Sequence, residues 1–151
     1  MTPETFTPAE RELLRLVLDR LVPADGGFPA AGDLGIGAYL EQVAGATPAA
    51  RRLFVEGLRQ IAMASEGARP DGFAALTGDE QDAVLDRIER EQPGFFEALV
   101  RQTYSGYYSH TAVLGLLGED VPPQPRGHRV DPFPLGLVER ARRSAFTYRQ
   151  P

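Results

Sequence analysis

The sequence predicts an all-α protein: a small helical domain of about five to seven helices over residues 1–118, then a long Pro- and Arg-rich arm over 119–151 with one short terminal helix. Three observations carry that prediction. Helix-start signals recur, each a Thr or Pro set just before apolar residues spaced three and four apart. No stretch alternates apolar and polar residues for long enough to make a strand. Five of the thirteen Pro fall between Val121 and Leu135, where neither a helix interior nor a central strand tolerates them.

The first helix opens at Thr7-Pro8-Ala9-Glu10. Thr7 can cap, Pro8 suits a first position that has no use for an N–H, and Glu10 completes a capping box. Leu13, Leu14, Val17, Leu18 and Leu21 form its apolar stripe, and Pro23 stops it. Residues 23–32, rich in Pro, Gly and Ala, read as a loop. A second helix is expected after Asp33, carrying Ile36, Tyr39, Leu40 and Val43. Thr47-Pro48 opens a third, with Leu53, Phe54, Leu58, Ile61 and Ala62 inward, fading over 67–72. Phe73 and Leu76 lead into Thr77-Gly78-Asp79-Glu80, a second capping box, followed by Val84, Leu85 and Ile88.

The stretch around which the rest is organised runs over residues 92–110. Pro93 starts a helix on which Phe96, Leu99, Val100, Thr103 and Tyr107 share one face, widened by Phe95 and Tyr104. A helix apolar this far round is expected to be buried on more than one side. Gly106 inside it costs about 1 kcal/mol relative to Ala, which suggests that another backbone or a large group approaches closely. Tyr104, Tyr107 and Tyr108 each join an apolar ring to a polar tip and suit a semi-polar interface; the plainer reading is a central core helix. A short helix over 111–117 ends at Gly118, a natural C-terminal cap. In the arm, 135–145 can form one last short helix.

The totals narrow the function classes. At 151 residues the chain fits one domain. It has no Cys, which excludes disulfides, Cys-ligated zinc and thiol chemistry. A net charge of −5 argues against a general nucleic-acid binder. That charge is uneven: from Arg126 onward six Arg face only Asp131 and Glu139, so a basic tail follows an acidic body and can fold back on it or reach an acidic partner. No secretory leader and no run near the roughly 20 apolar residues of a membrane span is visible, so the expected location is cytoplasmic as written, and periplasmic if a leader was removed.

Residues able to carry chemistry are few. His110 and His128 are the only His, and neither their spacing nor Asp131 makes a metal-ligand pattern. The plainer role for each is a hydrogen bond to backbone or a contact with a partner. The closely spaced Gly32, Gly35 and Gly37 follow no strand, which a dinucleotide fingerprint requires. Asp25 and Asp33 fit turn and capping roles better than an acid/base pair. The residues thus predict a helical protein without a self-contained active site, catalytic residues, cofactor or metal of its own.

The ordered set of these features resembles the gluconate 2-dehydrogenase subunit 3 family. The opening helix Leu13 to Asp25, the pattern of Pro29, Gly32 and Tyr39-Leu40, the Leu76-Thr77 cap, Phe95-Phe96, the Thr103-Tyr104-Ser105-Gly106-Tyr107-Tyr108-Ser109 segment and Pro122-Pro123-Gln124-Pro125-Arg126-Gly127-His128 carry the likeness. The resemblance implies a non-catalytic small subunit that binds, stabilises and helps fold a large FAD-dependent oxidoreductase of the glucose–methanol–choline type. That partner would hold the FAD and oxidise sugars, sugar acids, cyclitols or glycosides, in some complexes with a cytochrome as electron acceptor. Candidate partner contacts are Tyr104, Gly106, Tyr107, Tyr108 and His110 in the helical domain, and Arg126, His128, Arg129, Phe133, Phe146 and Tyr148 in the arm. The arm is expected to strap over the large subunit, or else to wrap this chain's own acidic helices. The alternative function is a stand-alone ligand-binding or regulatory protein with an aromatic pocket around Tyr104 and Tyr107.

Overall fold

The computed structural model describes residues 5–118, and these form six α-helices with no strand among them. They are α1 (Pro8–Leu21), α2 (Ile36–Gly45), α3 (Pro48–Ala68), α4 (Gly78–Glu91), α5 (Pro93–Ser109) and α6 (Thr111–Leu116), with a 3-10 turn at Phe73–Ala75. The arm over 119–151, with its predicted terminal helix and its six candidate contacts, lies outside the described residues.

The predicted starts are made as the sequence suggests. In α1 the Glu10 N–H donates to Thr7 Oγ1 (3.2 Å) and the Thr7 N–H to Glu10 Oε2 (2.7 Å), a closed capping box. Thr77 and Glu80 repeat it in α4. Thr47 Oγ1 accepts from the Ala50 N–H at 3.1 Å to open α3. Each such cap stabilises its helix by about 1 kcal/mol. Phe73 and Leu76 are both buried beneath the second box. Gly118 takes the positive φ expected of a helix-ending Gly.

Helix α2 follows Asp33 and carries Ile36, Tyr39, Leu40 and Val43 as expected, but no side chain caps it. It starts at Ile36, capped by Gly35 in the left-handed region with no side-chain cap, and Asp33 lies in the exposed turn before it. The loop ahead of it is ordered by a two-residue reversal. Gly26 (φ 54°) and Gly27 (φ 88°) supply the two positive φ values such a turn needs, and Asp25 and Phe28 exchange backbone bonds of 3.1 and 2.7 Å across it.

The core is one cluster fed by every helix. Helix α5 packs against α2, α3 and α4, and its buried residues are Phe95, Ala98, Leu99, Thr103 and Tyr107. The expected face is therefore rotated. Phe96 and Val100 are half-buried and Tyr104 is exposed, so α5 buries one side within this chain. The reason lies in α3, where Gly57 is buried against the Phe95 ring. Leu53, expected inward on α3, is exposed for a related reason: the buried stripe there runs Phe54, Gly57, Leu58, Ile61 and Ser65. The hydroxyls of Ser65 and Thr103 each donate 2.7 Å bonds to the carbonyl four residues back, so neither is buried without a partner.

The segment before α1 is tied down by one carboxylate on α2. Glu41 Oε1 accepts from the N–H groups of Thr5 (2.9 Å) and Phe6 (3.1 Å), while Arg11 donates Nε to Oε2 at 2.9 Å and a second N–H to Oε1 at 3.0 Å. The Arg11 hydrogen bond, with the two backbone donors, pulls the Glu41 carboxyl down to about 2 against the desolvation that opposes it. Phe6 is thereby seated in the core, almost wholly buried.

Candidate partner interface

The five candidate contacts within the described residues lie on α5 and at its junction with α6, but they do not share one environment. Tyr104 and Tyr108 are four residues apart, so they fall on one side of α5. Their rings stack with centroids 6.0 Å apart and planes 12° apart, and they are 43% and 52% exposed. Tyr107, one residue back, points inward. It is buried, meets Tyr108 edge-on at 5.4 Å, and donates its hydroxyl to the Pro29 carbonyl at 2.7 Å. Burial, reinforced by the adjacent Tyr108, raises its hydroxyl above the ordinary tyrosine value. Tyr107 thus clamps the 23–35 loop to α5. The two rings expected to frame a pocket part company: Tyr107 is inside and Tyr104 is out.

The close approach marked by Gly106 is internal. A Cβ there would meet Tyr39 Cδ1 at 2.8 Å and Ile36 Cγ2 at 3.1 Å, both from α2. Beside it the Tyr39 hydroxyl donates to Gln102 Oε1 at 2.9 Å, joining α2 and α5. His110 takes the plainer of its two roles: its Nδ1 accepts from the Ala112 N–H at 3.3 Å and caps α6.

Helix α6 packs on α5 and ends on Leu116, with Leu117 as its C-terminal cap, each about half exposed. Sequence reading missed these as surface residues, since their spacing fits a short buried helix as well. Tyr104 and Tyr108 on α5 and Leu116 and Leu117 after it are four of the seven large hydrophobic residues that are exposed among the described residues.

A second apolar surface is made by other elements. Helices α1 and α3 and the 3-10 turn bound a groove of about 420 Å³. Leu13, Leu16, Leu58, Ala62 and Phe73 make its apolar wall, and among the described residues that line it Glu10, Glu12, Glu66 and Asp71 outnumber the one cation, Arg59. Another groove of about 500 Å³ separates α3 from α4, lined by Met63, Ala64, Val84 and mixed charges.

Among the described residues no group of three or more His, Cys, Asp or Glu is disposed to hold a metal ion. None of their helices is long and apolar enough to cross a membrane. What the arrangement provides is surface: a stacked tyrosine pair, exposed leucines and an acid-rimmed groove on a rigid helical body.

These features define a small all-α protein with apolar faces left open. Residues 8–117 match the family model described as gluconate 2-dehydrogenase subunit 3, and the chain belongs to that family. Comparison with curated proteins and with solved structures gave no match. The family makes this a dehydrogenase-complex subunit by description, which agrees with the expectation drawn from the ordered motifs.

Proposed function

We infer that the chain is the non-catalytic small subunit of an FAD-dependent dehydrogenase or oxidase complex, and that it binds and stabilises the large flavoprotein. The partner would be of the glucose–methanol–choline type, would hold the FAD, and would oxidise a sugar, sugar acid, cyclitol or glycoside. The observation that carries this reading is the stacked, half-exposed Tyr104–Tyr108 pair with the exposed leucines of α6, in a chain of this family. Rigid aromatic rings with a polar tip lose little side-chain entropy on docking, and they dominate the energetics of protein interfaces.

Co-expression with the large flavoprotein subunit tests the reading. The parent chain should co-purify with a yellow partner, and the Tyr104→Ala/Tyr108→Ala variant should lose it by tenfold or more while melting like the parent. Both rings are solvent-facing, so their truncation leaves the core intact. Undiminished co-purification of the double variant would reject this face as the interface. Absence of any flavoprotein from the parent's native complexes would reject the function.

A further inference from the structure

The groove between α1, α3 and the 3-10 turn is apolar within and acidic at its edges, and within the described residues nothing covers it. Leu13 and Leu16 are only half-buried at its wall, and Glu66 and Asp71 make no ion pair among the described residues. A surface of this kind fits an amphipathic helix with basic edges, laid in as a helix-in-groove contact.

We propose that its occupant is this chain's own C-terminal segment, residues 135–149. Three observations lead there. On helical spacing Leu137, Val138, Ala141, Ala145 and Tyr148 fall within one arc of about 100°, with Arg140 on one edge and Arg142 and Arg149 on the other. That is the complement of the groove: an apolar stripe with cations on both sides meets an apolar wall with carboxylates on both sides. The charges are also of opposite sign: four Arg against Glu139 in the segment would meet Glu66 and Asp71, which make no ion pair among the described residues, and beyond them Glu10 and Glu12, which are held by Thr7 and Arg15.

Reach is sufficient. Sixteen residues separate Gly118 from Leu135. At about 3.1 Å per residue for a Pro-rich chain they span about 50 Å, more than the width of a domain whose radius of gyration is about 13 Å. Tethering then keeps the segment at millimolar effective concentration, so modest contact energy holds it in place. On this view the Pro-rich stretch bridges the domain, the last helix folds back, and the tyrosine face stays open for the partner. The proposal does not depend on the flavoprotein assignment, because it concerns the free chain.

The absence of Cys allows a direct test on the full-length protein, since any disulfide must come from introduced residues. Ala62→Cys, within the groove, is paired in turn with Ala141→Cys and Ala145→Cys, and Ala74→Cys at the groove's edge gives a second set that leaves α3 untouched. Ser105→Cys, at an exposed position of α5 and paired with the same two positions, is the control. Under dilute, mildly oxidising conditions the monomer should form at least one groove disulfide about tenfold or more faster than the control pairs. Glu66→Lys/Asp71→Lys should slow that closure several-fold, as should 0.5 M salt, roughly where surface charges are screened. Groove pairs that close no faster than the controls overturn the proposal. Disulfides that form only between chains overturn it too, because the occupant would then be a second copy.

Discussion

Alanine at Gly57 isolates the contact that sets the orientation of α5. A Cβ built there lies closer than 3.0 Å to three carbons of the Phe95 ring, a separation that real Cβ atoms do not show. The ring has no room to retreat. It is about 2% exposed and is held edge-on by Phe54, centroids 6.0 Å apart at 84°. We therefore expect an overpacking cost near the upper end of the usual range, about 3 kcal/mol. Alanine's better helix propensity in the interior of α3 offsets about 1 kcal/mol of it. The net loss is about 2 kcal/mol, a roughly thirtyfold shift toward the unfolded chain. Urea denaturation followed by far-UV circular dichroism measures it, as a lower midpoint at unchanged slope. In a Phe95→Leu background the ring is gone, and the same alanine should cost nothing or stabilise, giving a coupling energy of about 2–3 kcal/mol. A Gly57→Ala variant as stable as the parent, or a penalty that persists without the ring, would refute the reasoning.

Gly106→Ala should behave differently, although its Cβ also enters a tight space. The nearest neighbour there is Tyr39, 36% exposed, whose ring can move outward by giving up its hydrogen bond to Gln102, while the buried Ile36 must yield by a few tenths of an ångström, so the loss should stay at about 1 kcal/mol. Gly106→Leu, which α2 cannot accommodate, should lose about 1–3 kcal/mol in the same denaturation assay; a Leu variant that matches the Ala variant would contradict the close approach. Glu41 predicts a pH dependence. Its folded-state carboxyl titrates at about 2 against an ordinary value of 4.5. The stabilisation is therefore complete above about pH 4.5 and disappears as pH falls toward 2, a loss on the order of 2–3 kcal/mol. Urea midpoints between pH 6 and pH 3 should fall more for the parent than for Glu41→Gln, and parallel declines would show that the carboxylate is not the group responsible.

The parts of the fold that were legible in the sequence are those whose partners lie close along the chain. Thr7 and Glu10, Thr77 and Glu80, and Gly118 after α6 satisfy backbone groups within one helical turn, so residue type and spacing specify them. Glu41 gives no such signal. Its donors sit 30 to 36 residues away, and an isolated Glu in a helical pattern resembles any solvated one. The Tyr107 hydroxyl and the Pro29 carbonyl are 78 residues apart, and nothing in either neighbourhood announces the bond. The same limit governed the start of α2, where Asp33 offers a cap by type but the turn closes on Gly35.

The rotation of α5 is the most consequential of these long-range choices, because it decides which tyrosines reach the surface. Phe95 and Phe96 are equal candidates by hydrophobicity, and each starts a series that passes through Leu99, Thr103 and Tyr107. Gly57 separates them. By lacking a side chain on the buried stripe of α3 it leaves a recess that takes the Phe95 ring, and α5 turns to fill it. With Phe95, Leu99, Thr103 and Tyr107 inward at four-residue steps, Tyr104 and Tyr108 must stand outward, one turn apart and stacked. A glycine on one helix thus fixes the face that a second helix leaves at the surface. A variant that fills the recess should disturb complex formation even though Gly57 itself is buried far from solvent.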